Sequence, residues 1–200
     1  NTVSVNGAYD ISTATYVQEF SVATQETAPR GLVFNSDGTK MYVVGDAGND
    51  VNEYSLSTAF DVSTASYVIR KPVSAETSPS GMSFNNDGTK MFIIGFNSDY
   101  VCEYDLTTAF DISSAVYAGS PERFFVRNQE SNPLGMAFNN DGTKMYVIGN
   151  SGKDVNEYSL STAFDVSTAS HTRLFSVQSQ YSHTTMSVKY KSTRKRKKVY

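Results

Sequence analysis

The chain has 200 residues, of which 39% are hydrophobic and 18% charged, an ordinary globular composition. Thirteen Tyr and twelve Phe accompany many Val, Thr and Ser, and there is no Trp, which is typical of a strand-rich protein. No apolar run is long enough to predict a membrane-spanning helix, and the lone Cys102 excludes an intrachain disulfide.

The net charge of −3 conceals an uneven distribution. Residues 189–200 carry seven basic side chains and no acidic one, which leaves the first 188 residues with a net charge of −10. Because such an acidic body repels a phosphate backbone, it is not expected to bind nucleic acid. The chain starts at Asn1 without an initiator Met or an apolar leader, so we expect a removed leader or a piece of a longer protein.

A tandem repeat organises most of the sequence. The stretch GLVFNSDGTKMYVVG at 31–45 returns as GMSFNNDGTKMFIIG at 81–95 and as GMAFNNDGTKMYVIG at 135–149. The seventeen residues DVNEYSLSTAFDVSTAS occur identically at 50–66 and 154–170, and AYDISTATY at 8–16 matches the tail of an earlier copy. These spacings indicate structural units of 50–54 residues that stack on one another.

Each unit predicts four strands. In the first copy they are GLVF at 31–34, MYVVG at 41–45, VNEYSL at 51–56 and a fourth at 66–75, whose counterparts lie at 124–128 and 172–177. An Asp-Gly pair predicts a hairpin turn between the first two strands, and the S-T-A-F-D block predicts a broad turn before the fourth. The second strand is apolar on both faces, which indicates a sheet that is covered on both sides.

These features predict an all-β fold for residues 1–177. The architecture is a partial β-propeller of about three complete four-stranded antiparallel blades plus incomplete terminal blades; a solenoid of stacked hairpins is the alternative. Since closed rings have about four to eight blades, the remaining blades of a longer chain or a homo-oligomer would complete the ring.

The last residues, 178–200, break the pattern. The Asp-Gly turn is missing there, and KRKKVY stands where an apolar strand belongs. Burying those lysines would carry a heavy desolvation cost, so a degenerate or disordered basic segment is predicted. A nuclear-localisation or polyanion-binding tail is the alternative.

The run P-x-G-[LM]-x-F-N-x-D-G-T-K-M-[YF], followed by V-x-E-Y-x-L, is similar to the YVTN-type propeller repeats, relatives of NHL and lactonase-like propellers. The block T-A-F-D-[VI]-S-[ST]-A resembles propeller repeats of marine bacterial surface proteins and phage tail-associated proteins. The resemblance covers about residues 8–177 and implies a propeller fold. It leaves activity open, because these families include adhesins, lactonases and structural modules.

Several repeated charged residues are candidates for chemistry. The turn aspartates lack the later Glu of a calcium loop, so a turn role is expected for Asp37, Asp87 and Asp141. Lys40 and Glu53 are expected to form a cross-strand ion pair. The glutamates that precede each innermost strand could form an arc of negative charge that collects cations, with Ca²⁺ the one cofactor considered; loop shaping is the alternative for Glu26, Glu76 and Glu130.

Residues that differ between repeats on the presumed binding face are the candidate ligand contacts: Arg30, Asp46, Phe96, Tyr100 and Lys153. They include no His, Cys or nucleophile–base pair, so no catalytic residue is predicted. The expected function is a non-catalytic binding or presentation module of an extracellular, cell-surface or virion protein, which contacts a receptor, glycan or protein partner. The alternatives are a fragment of a lactonase-like enzyme whose catalytic residues lie in absent blades, and a structural spacer.

Overall fold

A computed structural model of the chain describes residues 2–4 and 11–178, which form β-strands joined by turns and short 3-10 segments. A two-stranded sheet, β1 (Thr2–Ser4) and β2 (Thr15–Gln18), precedes three larger antiparallel sheets. No helix in this part of the chain has the length and apolar character needed to cross a membrane.

The three larger sheets are the predicted blades. The first blade contains β3 (Pro29–Phe34), β4 (Lys40–Gly45), β5 (Asp50–Leu56) and β6 (Ala65–Pro72). The second blade contains β7 (Pro79–Phe84), β8 (Lys90–Gly95), β9 (Tyr100–Leu106), β10 (Ala115–Tyr117) and β11 (Arg123–Phe125). The third blade contains β12 (Pro133–Phe138), β13 (Lys144–Gly149), β14 (Asp154–Leu160) and β15 (Ala169–Ser176). The prediction of a partial propeller is confirmed, and no sheet closes on itself within residues 2–4 and 11–178.

The fourth strand of the second blade differs from the prediction. It is split into β10 and β11, both of which pair with β9, whereas the sequence placed this strand at 124–128 alone. The break coincides with Gly119, whose φ is 116°, and with Pro121, which has no N–H to give to a ladder. Ala118 donates to the Glu103 carbonyl and Glu103 donates to the Glu122 carbonyl, so β9 stays paired across the interruption.

The Asp-Gly hairpin turns are confirmed. Gly38 has a φ of 73°, and Asp37 Oδ1 accepts hydrogen bonds from the Thr39 N–H at 2.9 Å and the Thr39 hydroxyl at 2.6 Å. The Phe60 ring lies against Gly38 so closely that a Cβ there would overlap it. The same arrangement recurs at Asp87 and Asp141, so these carboxylates serve the turns.

The S-T-A-F-D block forms the predicted broad turn, with its polar side chains bonded to the backbone. Asp61 accepts from the Ser63 N–H at 3.0 Å and caps the 3-10 segment Val62–Thr64. Thr64 Oγ1 accepts from the Thr58 N–H at 3.1 Å and donates to the Asp61 carbonyl at 2.8 Å. These bonds satisfy backbone N–H and C=O groups of the turn, which pair with no neighbouring strand.

The hydrophobic core lies between the blades. Tyr42 and Val44 of β4 face the second blade and belong to one cluster with Met91 and Ile93 of β8. The alternate residues of β8, Phe92 and Ile94, face the third blade and cluster with Met145 and Val147 of β13. The second strand of the middle blade packs against both neighbouring blades, which accounts for its apolar residues on both faces.

The innermost strands approach each other at glycines. A Cβ added to Gly31 would lie 3.2 Å from Gly81 Cα, and one added to Gly81 would lie 3.1 Å from Gly135 Cα. Side chains at these positions would push the first strands of neighbouring blades apart. The predicted C-terminal segment, apart from Gln178, lies outside the described residues.

Candidate functional site

The linker into each first strand and the loop between the second and third strands meet at one edge of the array. Glu26 Oε1, in the linker, accepts from the Ala28 N–H at 2.6 Å and the Ala47 N–H at 3.2 Å. Its Oε2 accepts from the Gly48 N–H at 3.4 Å. The two segments therefore open on the same face.

Glu130 repeats this arrangement in the third blade. It accepts from the Asn132 N–H at 2.8 Å and from the Ser151 and Gly152 N–H groups at 3.0 Å each. The residue is buried, with 0% of its surface exposed. A carboxylate that accepts several N–H bonds is well satisfied in such a site, because each charge-assisted bond offsets part of the desolvation cost.

Glu76 occupies the same position in the second blade with different partners. Its Oε2 accepts from the Ser98 hydroxyl, while its Oε1 has no hydrogen-bond partner in the described part of the chain. Burial raises the pKa of Glu76 to about 7, and the Ser98 hydrogen bond lowers it only in part. Asp99 follows Ser98 in the loop between β8 and β9. It is also buried, and this burial raises its pKa.

This geometry favours loop shaping over a cation arc for the three glutamates. All three are at most 1% exposed, and Glu26 and Glu130 already bind backbone N–H groups. Within the described ranges, no group of three or more His, Cys, Asp or Glu side chains is arranged to hold a metal ion. The arc stays a prediction that a calcium titration can test.

A small concave site lies on the same edge and is built by three blades. Its volume is about 260 Å³, and its lining residues are Arg30, Phe96, Asn132, Leu134 and Asn150. Arg30 lies with its guanidinium carbon 5.7 Å from the Phe96 ring centre and pairs with Asp46 at 3.5 Å. We call this site the axial cavity, because it borders the innermost strands.

Two register positions of the repeat supply four of the five residues that line the axial cavity. Residues 46, 96 and 150 each follow the glycine that ends a second strand, and they are Asp, Phe and Asn. Residues 30, 80 and 134 each follow the proline that begins a first strand, and they are Arg, Ser and Leu. Backbone bonds fix these positions, for example from the Asn150 N–H to the Asn132 carbonyl at 3.0 Å. Equivalent backbone positions in the three blades thus carry different side chains around the axial cavity.

The structure brings together three of the five predicted contact residues, namely Arg30, Asp46 and Phe96. Tyr100 does not line the axial cavity; its ring packs 4.9 Å from the Phe125 ring, and the Arg123 guanidinium lies 4.3 Å above it. Lys153 lies in the loop before β14 with a φ of 52°, and its carbonyl accepts from the Val177 N–H.

Sequence reasoning missed Asn132, Leu134 and Asn150. A signal for all three was present, because each of them differs from its counterparts in the other repeats, and Leu134 and Asn150 occupy the same repeat positions as Arg30 and Phe96. Chemically, a guanidinium, an aromatic ring and two side-chain amides can bind a ligand that carries hydroxyl or carboxylate groups on a flat frame. The lining residues include no nucleophile paired with a base.

The repeated lysines and glutamates form the predicted cross-strand pairs away from the axial cavity. Lys40 Nζ lies 2.8 Å from Glu53 Oε1, and Lys144 Nζ lies 2.7 Å from Glu157 Oε1. Glu53 also accepts from the Ile112 N–H of the second blade at 3.3 Å, so the carboxylate links two blades. These residues are structural in the described geometry.

Comparison with known proteins identifies the fold. No family model and no curated protein matches the chain. A 6-phosphogluconolactonase-like protein from Bacteroides fragilis is similar in structure with a TM-score of 0.55 and 14% identity, over 74% of this chain and 39% of that one. A periplasmic gluconolactonase from Pseudomonas aeruginosa gives a TM-score of 0.53 and 13% identity, over 74% of this chain and 40% of that one. Hydrazine synthase from Kuenenia stuttgartiensis gives a TM-score of 0.51 and 17% identity, over 80% of this chain and 39% of that one.

At these identities the similarity concerns the fold alone. The chain spans about two-fifths of the length of the structures it resembles, which agrees with a partial ring. Three antiparallel sheets of four or five strands, packed face to face and arranged as in these proteins, give the chain a partial β-propeller fold.

Proposed function

We propose that the chain is a non-catalytic binding module that holds a glycan or a similar polar ligand in the axial cavity. The observation that carries this proposal is the convergence of unlike side chains from three near-identical blades. Most positions of these near-identical repeats carry the same residue in every blade. Positions 46, 96 and 150 instead carry Asp, Phe and Asn, and two of these side chains, Phe96 and Asn150, line the axial cavity, where they could contact a ligand.

The chemistry of the axial cavity suits a sugar-like ligand. The Phe96 ring offers an apolar face, while Arg30 and the amides of Asn132 and Asn150 offer hydrogen-bond donors in different directions. Asp46 holds Arg30 by an ion pair in which both side chains remain partly exposed, which leaves guanidinium N–H groups available.

A glycan array with matched variants tests this function. The Phe96→Ala and Arg30→Ala variants should each lose binding by about tenfold or more, because each removes a central contact. Lys153→Ala is the matched control. Lys153 is an exposed residue in the loop between the second and third strands of the third blade, and it does not line the axial cavity. Binding that persists in both test variants, or that falls equally in the control, would contradict the proposal.

The lactonase-like enzyme remains the second candidate, because two of the similar structures carry gluconolactonase names. Under that proposal the decisive residues lie in blades beyond the present sequence. Hydrolysis of a sugar lactone by a longer chain that includes those blades, but not by the present 200 residues, would favour the enzyme over the binding module.

We further propose an extracellular or virion-surface setting, with bacterial surface proteins and phage tails as the sources suggested by the T-A-F-D repeat. The acidic body is in keeping with a partner that is not nucleic acid. Calcium belongs to this proposal only if it raises the melting temperature of the chain; an unchanged value would count against a bound ion.

A further inference from the structure

The axial cavity receives its aromatic ring from a loop that is held differently from its counterparts. Phe96 belongs to the loop between the second and third strands of the second blade, and we call residues 96–99 the Phe96 loop. In the other two blades this loop gives two backbone N–H groups to the glutamate that precedes the first strand. In the second blade Ser98 replaces the glycine of the other repeats and donates its side-chain hydroxyl to Glu76.

The carboxyl group of Glu76 contacts the chain on both sides of Phe96. Its Oε1 packs against Gly95 so closely that a Cβ on that glycine would overlap it. Its Oε2 accepts from the Ser98 hydroxyl. Glu76 is 1% exposed, and its Oε1 has no hydrogen bond of normal geometry in the described part of the chain. A change in the bonding of this carboxyl group therefore acts directly on the position of Phe96.

The linker that carries Glu76 is anchored by other contacts. The Ser78 N–H donates to Asn49 Oδ1 of the first blade at 2.9 Å, whereas the equivalent N–H groups of the other linkers donate to their glutamates. The Ser78 carbonyl accepts from the Phe96 N–H at 3.3 Å, and the Ser78 hydroxyl accepts from the Asn97 side chain at 2.7 Å. The linker is thus fixed to the first blade independently of Glu76, so a rearrangement at this contact falls on the Phe96 loop.

The bonding of Glu76 suits the neutral acid better than the carboxylate. A charged carboxylate buried to this extent needs several donors, as Glu26 and Glu130 have. Burial raises the pKa of Glu76 to about 7, because the Ser98 hydroxyl and nearby backbone groups compensate it only in part. Ionisation therefore favours a geometry in which Glu76 gains the loop N–H bonds that the other two glutamates already have.

The ionisable groups that face Glu76 lie on the Phe96 loop and on β9. After burial, the charge of Asp99 also raises the pKa of Glu76, and Asp99 itself pairs with Arg127 at 3.5 Å. Cys102 and Tyr104 of β9 have raised pKa values, mainly through burial and to a smaller extent through the charge of Glu76; that of Cys102 is about 12. Both stay neutral near pH 7, so a titration there belongs to Glu76 and the coupled Asp99.

We propose that Glu76 is a positioning residue of the axial cavity: as the neutral acid it leaves the Phe96 ring at the cavity wall, and on ionisation it draws the Phe96 loop onto itself and displaces the ring. The effect on a ligand rests on the proposed binding function, whereas the movement of the loop does not depend on it. Binding at the axial cavity is therefore strongest in mildly acidic solution and weakens as the pH rises above neutrality.

An indole at position 96 reports the movement without any ligand. The chain contains no Trp, so Phe96→Trp introduces a single fluorophore. We expect acrylamide quenching of this indole to rise between about pH 5.5 and about pH 8.5 with a midpoint near 7, because the ring leaves the cavity wall. Adding Glu76→Gln should make the quenching constant, and adding Asp99→Asn should lower the midpoint by removing a neighbouring negative charge.

Asn150→Trp is the matched control, because position 150 has the same place in the third blade and the adjacent Glu130 already accepts three backbone N–H bonds. Its quenching should not change over the same pH range, in which circular dichroism checks that every variant is folded. In the unsubstituted chain, the amide NMR signals of residues 96–99 should titrate with the midpoint of the indole. A constant indole at position 96, a response that survives Glu76→Gln, or an equal response at position 150 overturns the proposal.

The glycan array separates this inference from the proposed function. At about pH 8.5 only about 3% of the molecules would keep neutral Glu76, so binding should be about thirtyfold weaker than at about pH 5.5. The Glu76→Gln variant should bind equally at both pH values. A pH response of the indole with no glycan bound at either pH would support the positioning role and contradict the binding function. Glycan binding together with a constant indole would do the reverse.

Discussion

At the scale of single residues, the glutamate that precedes each first strand illustrates how neighbouring hydrogen-bond donors determine how well a buried carboxylate is compensated. Glu26 and Glu130 each accept three backbone N–H bonds from two segments of the chain. Glu76 has the same place in the repeat and the same burial, yet it accepts its well-formed hydrogen bond from the Ser98 hydroxyl, and its Oε1 has no hydrogen bond of normal geometry in the described part of the chain. The buried charge of Glu76 is consequently the least well compensated of the three.

This difference predicts an unusual pH dependence of stability. The pKa of Glu76 rises from 4.5 to about 7 on folding, because burial disfavours the charged form. Its contribution to stability is therefore complete below pH 4.5, is lost as the pH rises from 4.5 to 7, and stays lost above that range. The loss is on the order of 3 kcal/mol for a shift of this size.

Urea unfolding of the wild type and of Glu76→Gln at several pH values measures this effect. The Gln side chain copies the protonated acid, so the stability of the wild type relative to the variant should fall as the pH rises. Burial also raises the pKa of Asp50, but Asp50 is present in both proteins and drops out of the difference. Asp99 interacts electrostatically with Glu76, so its effect is part of the measured difference. A difference that does not change with pH would contradict the assignment.

At the scale of elements, the inner strands depend on glycine for their close approach. A Cβ on Gly81 would meet Gly135 Cα, the Ile94 side chain and the Leu134 carbonyl, each at 3.1 Å. A Cβ on Gly135 would meet only Ile148 Cγ2, at 3.4 Å, because no further blade lies beyond it in the described residues. The same repeat position is thus crowded in the second blade and open in the third.

Two alanine variants follow from this contrast. We expect Gly81→Ala to lower the free energy of unfolding by about 1–3 kcal/mol, because backbone atoms of the third blade must move to admit the methyl group. Gly135→Ala should change it by less than about 0.5 kcal/mol, and it is the control for the substitution itself. Equal losses measured by denaturant titration would show that the inner strands do not pack as described.

At the scale of the whole molecule, burial is greatest in the middle blade. Met91, Phe92, Ile93 and Ile94 of β8 are all 0% exposed, because each face of this strand has a neighbouring blade. In β13 of the third blade, by contrast, Ile148 is 43% exposed. A repeat array of this kind gains stability from its nearest-neighbour interfaces, so the two outer blades have less support than the middle one.

Hydrogen exchange should reveal this gradient. We expect the amides of β8 to exchange most slowly, through global unfolding, and those of β13 to exchange faster through local opening. Residue-resolved exchange measured by NMR checks the order. Uniform protection across the three blades would instead indicate that the outer flanks are covered in solution.

Much of the fold could be predicted because each local sequence pattern occurs in several repeats. The Asp-Gly turns, the both-faces-apolar second strand and the Lys40–Glu53 pair depend on short-range geometry, and all were confirmed. The split of the fourth strand into β10 and β11 was not predicted, because the interruption at Gly119 and Pro121 is specific to the second repeat and the other repeats give no guide to it.

The candidate site was harder to predict than the fold. Variation between repeats pointed to Arg30, Asp46 and Phe96, but the same criterion also selected Tyr100, which packs against Phe125 instead. Asn132 also differs from its repeat counterparts, Ala28 and Ser78, but it was not selected. Whether a variable residue lines a cavity depends on the direction of its side chain relative to a neighbouring blade, and a single repeat does not contain that information.

The sequence by itself determined the blade, because hairpin turns, strand alternation and polar turn residues act within about 50 residues of one another. The tertiary structure alone decided which glutamate is least well compensated and which variable side chains converge on the axial cavity. Those outcomes arise from packing one blade against the next, where distances of a few tenths of an ångström between non-local groups determine burial and hydrogen bonding.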